Sequence, residues 1–231
     1  MRPVNQIPIP ELFVSPEAAD RLRDEAVSLP GWVLNPAQLG DLTLLMNGGF
    51  FPLKGFMAQA DAESVAQGMR LCSGAHWPVP VTLKVNEDFA TRIAPGDDIA
   101  LRDTCGTALA IMSVTDLWRE SGGVHLGGKV KGLRVPGDAG DSPNSLRRSF
   151  AGRDMREVLV WHEGVPGDAV VVTVPAVGLA PGAETADLPA DPLRRAMLQG
   201  LVARNFGATH IRADHPVLRA AFGSVGLVVI A

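Results

Sequence analysis

Residues 96–114 have the sequence GDDIALRDTCGTALAIMSV, in which two apolar runs flank a polar turn. The runs Asp98–Arg102 and Ala108–Leu117 are each typical of a β-strand. Because the connection Asp103–Gly106 is short and ends in glycine, it predicts a hairpin with antiparallel strands. Small helices are predicted upstream of this hairpin, and the combination favours a small barrel-like α+β domain.

The upstream helices are predicted from their capping signals. Ser15-Pro16 and Asn35-Pro36 each combine a capping side chain with a proline at the first helical position. The first helix is expected to end near Ser28, and the second is expected to end at Asn47-Gly48-Gly49 because glycine favours helix ends. A third short helix is predicted to start after Asp61 and to end near Arg70.

Two further stretches complete the first half of the sequence. Trp77–Val85 alternates, is rich in valine and contains two prolines, which predicts a strand at a sheet edge or a bulge. Ser121–Ser145 is glycine-rich and polar, which predicts a linker. We place a domain boundary near its end, so that the first domain covers residues 1–144 and the second covers residues 145–231.

The second half alternates predicted strands with predicted helices. Its clearest helix begins at Asp191-Pro192 and ends before Gly207, with an apolar stripe that indicates one buried face. Strands are predicted at Arg156–Trp161, Ala169–Val174, Thr209–Ile211 and Leu227–Ile230, and further helices at Leu146–Asp154 and Val217–Phe222. This order predicts a small parallel α/β layer.

Composition argues against several function classes. The chain has 231 residues, a net charge of -4 and a pI of about 5.7, so a nucleic-acid partner has no electrostatic support. No apolar run approaches the roughly 20 residues of a membrane helix, and neither a signal peptide nor zinc-ligand spacing is found. We therefore expect a cytoplasmic protein with no metal and no membrane partner. Cys72 and Cys105 are expected to be two buried thiols rather than a disulfide.

Four segments of the first half share a distinctive pattern with one known family. They are LMNGGFFPLKGFM (Leu45–Met57), MRLCSGAHWPVPVTLKV (Met69–Val85), GDDIALRDTCGTALAIMSV (Gly96–Val114) and HLGGKVKGL (His125–Leu133). In this order they resemble the N-terminal domain of ATP sulfurylase (sulfate adenylyltransferase). The resemblance implies a PUA-like, β-barrel-type first domain.

The second half resembles the catalytic domain of the same family. The matching segments are Ser145–Pro166, Val174–Asp187 and Arg194–Ile211. They imply a small, truncated Rossmann-like α/β lobe of the nucleotidyltransferase kind. The family's anion-contacting Gln, Arg and Asn are replaced here by His162, Gly164 and Val165. Because the loss of one such donor typically lowers a rate by about 10² to 10³, we expect ordinary sulfate adenylylation to be absent.

His162 and Glu163 are the candidate catalytic residues. They follow a predicted strand, and a His–Glu pair in that position can act as acid and base. The alternative is a solvated dipeptide in a shortened loop.

Candidate nucleotide-binding residues lie in the last part of the sequence. Asp214 and His215 stand where the family has an Asp-His pair, and Arg212 lies before a predicted helix whose N-terminus could hold an anion. Asp214 could instead cap that helix. Arg204 and Asn205 are either a binding pair or the terminal charge and cap of the preceding helix.

Three functions remain open at this point. The first is a pseudoenzyme of sulfate assimilation that acts as a binding or regulatory module, either as a homo-oligomer or paired with an authentic sulfurylase. The second is an enzyme with an altered nucleotide or sulfur-anion substrate. The third is a sulfate adenylyltransferase with relocated ligands. The resemblance implies ATP or adenylyl sulfate as the ligand in each case, with no further cofactor.

Overall fold

The computed structural model describes residues 4–120, 122–137, 141–160, 192–212 and 216–230. The first lobe begins with a 3-10 helix (Val4–Gln6) and contains α1 (Pro16–Ser28), β1 (Gly31–Val33), α2 (Pro36–Met46), β2 (Gly55–Phe56), α3 (Gln59–Gly68), β3 (Leu83–Val85), α4 (Glu87–Ala90), β4 (Asp98–Arg102), β5 (Ala108–Glu120) and β6 (Gly123–Gly132). The second lobe contains α5 (Pro143–Gly152), β7 (Leu159–Val160), α6 (Pro192–Asn205), β8 (His210–Arg212), α7 (Pro216–Ser224) and β9 (Val228–Ile230).

The first lobe is built on a six-stranded sheet with the order β1-β4-β5-β6-β2, in which β3 also pairs with β6. The predicted hairpin is confirmed as β4 and β5, which are antiparallel from Asp98 opposite Ser113 to Arg102 opposite Ala108. β5 continues beyond the predicted end as far as Glu120, because it pairs along most of its length with β6.

The predicted linker between residues 121 and 145 is wrong, because most of it forms β6 and the first turn of α5. β6 pairs with β2, β3 and β5 at the centre of the sheet. β6 contains glycines because backbone atoms of other segments lie very close to it. A Cβ on Gly127 would lie 2.3 Å from the Met57 carbonyl oxygen, and one on Gly128 would lie 2.2 Å from that of Ser113. Glycine in β6 therefore allows other backbone segments to approach closely and does not indicate a loop.

The two helix starts predicted from capping signals are confirmed, whereas the third helix, α3, begins earlier than predicted, at Gln59. The Ser15 hydroxyl accepts a hydrogen bond from the Ala18 N–H at 3.3 Å. Asn35 and Gln38 form a reciprocal capping box, with the side chain of each accepting from the backbone N–H of the other at 2.9 and 3.2 Å. The predicted strand Trp77–Val85 is shorter than expected, since β3 begins at Leu83.

The second lobe contains a parallel sheet with the order β7-β8-β9, as the alternation of strands and helices predicts. Ile211 on β8 is buried, and Val229 on β9 packs against the same apolar core as α6 and α7. By alternation, Arg212, Val228 and Ile230 face the other side of the sheet. The predicted strand Ala169–Val174 lies outside the described residues.

One apolar core continues from the first lobe into the second. It contains Leu42 and Phe50 from the first lobe together with Leu198 and Phe206 from the second. The predicted boundary between residues 144 and 145 falls in the first turn of α5 and stays a prediction.

Two smaller expectations are also settled by the fold. Cys72 and Cys105 are unpaired and exposed, so the prediction of buried thiols is wrong: both lie in surface turns between secondary-structure elements. Within the described ranges, every helix is too short or too polar to cross a membrane.

Candidate functional site

The carboxyl ends of β7 and β8 meet at one edge of the parallel sheet. Val160 pairs with Ile211, so the next residue of β8, Arg212, lies at the edge where β7 also ends. In open α/β sheets, ligands bind outside the carboxyl ends of the strands. The candidate residues that directly follow β7 and β8 in the sequence lie outside the described residues, and their roles stay predictions; they are His162, Glu163, Asp214 and His215.

Arg212 is the candidate binding residue that the structure describes at this edge. It is half-buried at the last position of β8 and pairs with Ile230 of β9. His210, two residues earlier, lies within 2.8 Å of the Thr209 hydroxyl through its Nδ1 atom. Thr209 also accepts a 2.8 Å hydrogen bond from the Val158 N–H. His210 and Thr209 therefore hold β8 in place, whereas Arg212 brings positive charge to the carboxyl edge.

Arg204 and Asn205 lie at the opposite end of the lobe, where α6 ends. Asn205 is buried, and its side-chain amide donates hydrogen bonds to the carbonyls of Gly49 at 2.9 Å and Phe51 at 2.8 Å. Arg204 donates to the carbonyl of Val225 at 2.9 Å. Both side chains have structural contacts within this fold, and their predicted role in ligand binding stays a prediction.

Arg147 on α5 is a buried cation that the sequence did not single out. Its guanidinium donates four hydrogen bonds to backbone carbonyls, those of Asn205 (2.8 Å), Arg204 (2.9 Å), Val4 (2.7 Å) and Ile7 (2.8 Å). Burial lowers the pKa of Arg147, and the charge of Arg204 lowers it further. Two of these carbonyls belong to the C-terminus of α6, whose dipole favours positive charge.

A sequence signal for Arg147 does exist in α5. The residues Asn144, Arg147 and Phe150 follow one another at intervals of three and are all buried, so they share one helix face. An arginine on the buried face of an amphipathic helix needs partners, and it is therefore a candidate for a structural or functional role.

Arg194, near the N-terminus of α6, forms hydrogen bonds that join this end of the helix to the first lobe. Its guanidinium donates to the carbonyls of Val65 and Pro78 at 3.1 Å and to that of Ala66 at 2.7 Å. Val65 and Ala66 belong to the last turn of α3, and the carbonyl of Val65 also accepts a 2.9 Å hydrogen bond from the N–H of Met69. Together with Asn205, Arg194 fixes the position of α6 against the first lobe.

The described residues offer little support for metal or thiol chemistry. In the ranges given above, no group of three or more His, Cys, Asp or Glu side chains is placed to hold a metal ion. The hydrogen bond with Asp61 raises the pKa of the Cys72 thiol, with smaller contributions from burial and from the Asp61 charge. A raised pKa disfavours the thiolate, which is the nucleophilic form.

Residues 1–130, more than half of the chain, match the PUA-like domain family, and the chain belongs to that family. The relatives that it resembles are sulfate adenylyltransferases. It is 33% identical to the enzyme of Eremothecium gossypii over 180 residues, which cover 65% of the chain and 36% of that protein. It is 48% identical to the enzyme of Mycosarcoma maydis over 103 residues, which cover 43% of the chain and 18% of that protein.

The fold of this chain also matches a solved structure. The hexameric APS kinase from Thiobacillus denitrificans superposes with a TM-score of 0.78 and 29% sequence identity, over 96% of this chain and 55% of that chain. The predicted resemblance to ATP sulfurylase is confirmed, and so is the combination of a PUA-like domain with an α/β lobe. The chain spans about a third or less of the length of the two relatives named above.

Proposed function

We propose that this chain is a binding or regulatory module of sulfur metabolism that does not catalyse ordinary sulfate adenylylation. It binds a nucleotide or adenylyl sulfate at the carboxyl edge of β7-β8-β9. The observation that carries the proposal is that Arg147, Arg194 and Arg204 all donate to backbone carbonyls. Three arginines of the second lobe are thereby engaged in holding the fold together.

Because these arginines already form hydrogen bonds within the fold, they do not supply the cations that catalysis of sulfate adenylylation needs. Transfer of an adenylyl group to sulfate brings two anions together, and several preorganised cations and N–H donors must offset their repulsion. The sequence has lost the family's Gln, Arg and Asn after β7. Arg147 cannot move to replace them without losing its four hydrogen bonds to backbone carbonyls.

Binding of a single anionic ligand requires fewer cations and N–H donors than catalysis does. Arg212 lies at the carboxyl edge, and α7 begins at Pro216, only a few residues further along the chain. A guanidinium close to a helix N-terminus suits a phosphate or sulfate group. The relatives are named for sulfate adenylyltransferase and APS kinase activities, which supports ATP, adenylyl sulfate and sulfate as the ligands to test.

Assembly and location belong to the same proposal. The structural neighbour is described as hexameric, which supports self-association of this chain or its pairing with an authentic sulfurylase. A cytoplasmic location follows from the proposed metabolic role.

Isothermal titration calorimetry with ATP, adenylyl sulfate and sulfate tests the binding proposal. We expect at least one of these ligands to bind, and Arg212→Ala to weaken it about tenfold or more through loss of a charge-assisted hydrogen bond. Arg21→Ala is the matched control, because Arg21 is an exposed arginine on α1 in the other lobe. Absence of binding, or equal effects of the two variants, would show the site assignment to be wrong.

A pyrophosphate-release assay with ATP and sulfate tests the catalytic half of the proposal. We expect no sulfate-dependent release above the protein-free rate, even at high protein concentration. Sulfate-dependent release that is lost in Arg212→Ala would instead identify a sulfate adenylyltransferase with relocated ligands.

A further inference from the structure

His210 and Arg212 lie on the same face of β8. They are two residues apart on the strand, so their side chains project to one side of the sheet from Cα atoms about 7 Å apart. In the sheet, His210 is paired with Val228 and Arg212 with Ile230, which are 54% and 37% exposed. Ile211, between them, is buried on the opposite face. The histidine and the arginine therefore share the face of the sheet that is accessible from outside.

The imidazole of His210 is oriented by a short chain of hydrogen bonds. The Thr209 hydroxyl accepts a hydrogen bond from the Val158 N–H at 2.8 Å. Its own hydrogen has two acceptors within reach, the His210 Nδ1 atom at 2.8 Å and the Val158 carbonyl at 3.4 Å. Because the shorter contact is the stronger hydrogen bond, the hydroxyl donates to Nδ1. The neutral imidazole then carries its hydrogen on Nε2.

The polar groups on this face suit an anion. Nε2 of His210 is a donor in the neutral tautomer and also in the imidazolium form, so it offers an N–H in either protonation state. Arg212 adds a guanidinium group, which is always charged. The strands β7, β8 and β9 contain no acidic residue. A phosphate or sulfate group on this face therefore meets two donors and no carboxylate from the strands.

We infer that His210 is a second ligand-binding residue, which donates from Nε2 to the phosphate or sulfate group that Arg212 holds. The inference rests on the proposed function, because it concerns the same ligand. A tetrahedral anion has oxygens on several sides, so it can accept hydrogen bonds from two side chains that project from one face of a strand. Thr209 holds the imidazole ring in place, which lowers the entropic cost of forming the second bond.

Isothermal titration calorimetry of His210→Ala with ATP, adenylyl sulfate and sulfate tests the inference. We expect the dissociation constant of the ligand that the wild type binds to rise about tenfold or more, through loss of a hydrogen bond to a charged group. His76→Ala is the matched control, because His76 is an exposed histidine of the first lobe, and it should leave the constant unchanged. Equal effects of the two variants would overturn the inference.

Two conservative variants separate ligand binding from a purely structural role. The amide group of a glutamine reaches about as far as Nε2, whereas that of an asparagine reaches about as far as Nδ1. His210→Gln should therefore bind the ligand within about threefold of the wild type. His210→Asn, which keeps only the contact with Thr209, should lose as much affinity as His210→Ala. The reverse order would show that His210 acts only through Thr209. Where His210→Ala does not fold, this pair of variants decides the question.

These results can be told apart from a failure of the proposed function. If Arg212→Ala weakens binding while His210→Ala and His210→Asn bind as the wild type does, the ligand site stands and the role of His210 is wrong. If the wild-type chain binds none of the three ligands, both the proposed site and the role of His210 are wrong.

Discussion

The side-chain amide of Asn205, at the end of α6, donates a 2.9 Å hydrogen bond to the carbonyl of Gly49 in the first lobe. A second bond from the same amide reaches the carbonyl of Phe51 at 2.8 Å. Both donor hydrogens of a buried asparagine are thus used to join the lobes. The position of β8, and of Arg212 at its end, depends on where α6 is held.

We expect Asn205→Ala to lower the free energy of unfolding by about 2–3 kcal/mol, because it removes two hydrogen bonds from a buried amide to the carbonyls of Gly49 and Phe51. Asn205→Asp has the same shape but places acceptors against acceptors, and it should cost at least as much. Urea denaturation of the three proteins measures both losses. A change below about 0.5 kcal/mol in Asn205→Ala, the range typical of surface positions, would contradict a role of this residue in joining the lobes.

Arg147→Ala is expected to destabilise the fold more strongly, by about 3–5 kcal/mol, because four backbone carbonyls lose a buried charged partner. Arg147→Lys should restore only part of the loss, since an ammonium cannot reproduce the planar fork of a guanidinium. Arg148→Ala is the control, because Arg148 is the exposed neighbour on the same helix and should change stability by no more than about 0.5 kcal/mol. Thermal or denaturant unfolding compares the three variants, and similar losses for positions 147 and 148 would contradict the structural role of Arg147.

Gly128→Ala tests whether β6 needs glycine for close packing. A Cβ at this position would lie 2.2 Å from the carbonyl oxygen of Ser113, so the strands would have to separate. We expect a loss of about 3 kcal/mol or more, as for severe overpacking. Gly152→Ala, at the end of α5 where an added Cβ meets no atom within 4 Å, should be neutral or slightly stabilising. Equal stability of the two variants would show that β6 tolerates a side chain at this crossing.

The carboxylate of Glu17 should make the stability of the protein depend on pH. Hydrogen bonds from its own backbone N–H and from Ser15 at the start of α1 lower the pKa of Glu17 in the folded state. A lowered folded pKa means that the stabilisation is present above the unfolded pKa of about 4.3 and is lost as the pH falls through the folded value. The difference in unfolding free energy between wild type and Glu17→Gln should therefore shrink as the pH is lowered through this acidic range. A constant difference for Glu17→Gln over this pH range would contradict the assignment.

Local signals in the sequence were sufficient for much of the fold. The caps at Ser15 and Asn35 act within three or four residues, so the helix starts could be predicted from the sequence alone. The parallel β7-β8-β9 layer was predicted from the alternation of short apolar runs with an amphipathic helix. In contrast, β6 was predicted as a linker, because the reason for its glycines lies in distant backbone such as the carbonyl of Met57.

For the candidate site, too, one part could be predicted from the sequence and another part could not. The resemblance of the sequence to ATP sulfurylase predicts which anion-binding residues are missing after β7, and the sequence also predicts a strand directly before Arg212. The contacts of Arg147, Arg194 and Arg204 could be found only in the folded chain, because their partners are backbone carbonyls that every residue possesses and that no sequence pattern marks. In the folded chain these guanidinium groups are engaged by backbone carbonyls of other segments, which only the fold brings next to them.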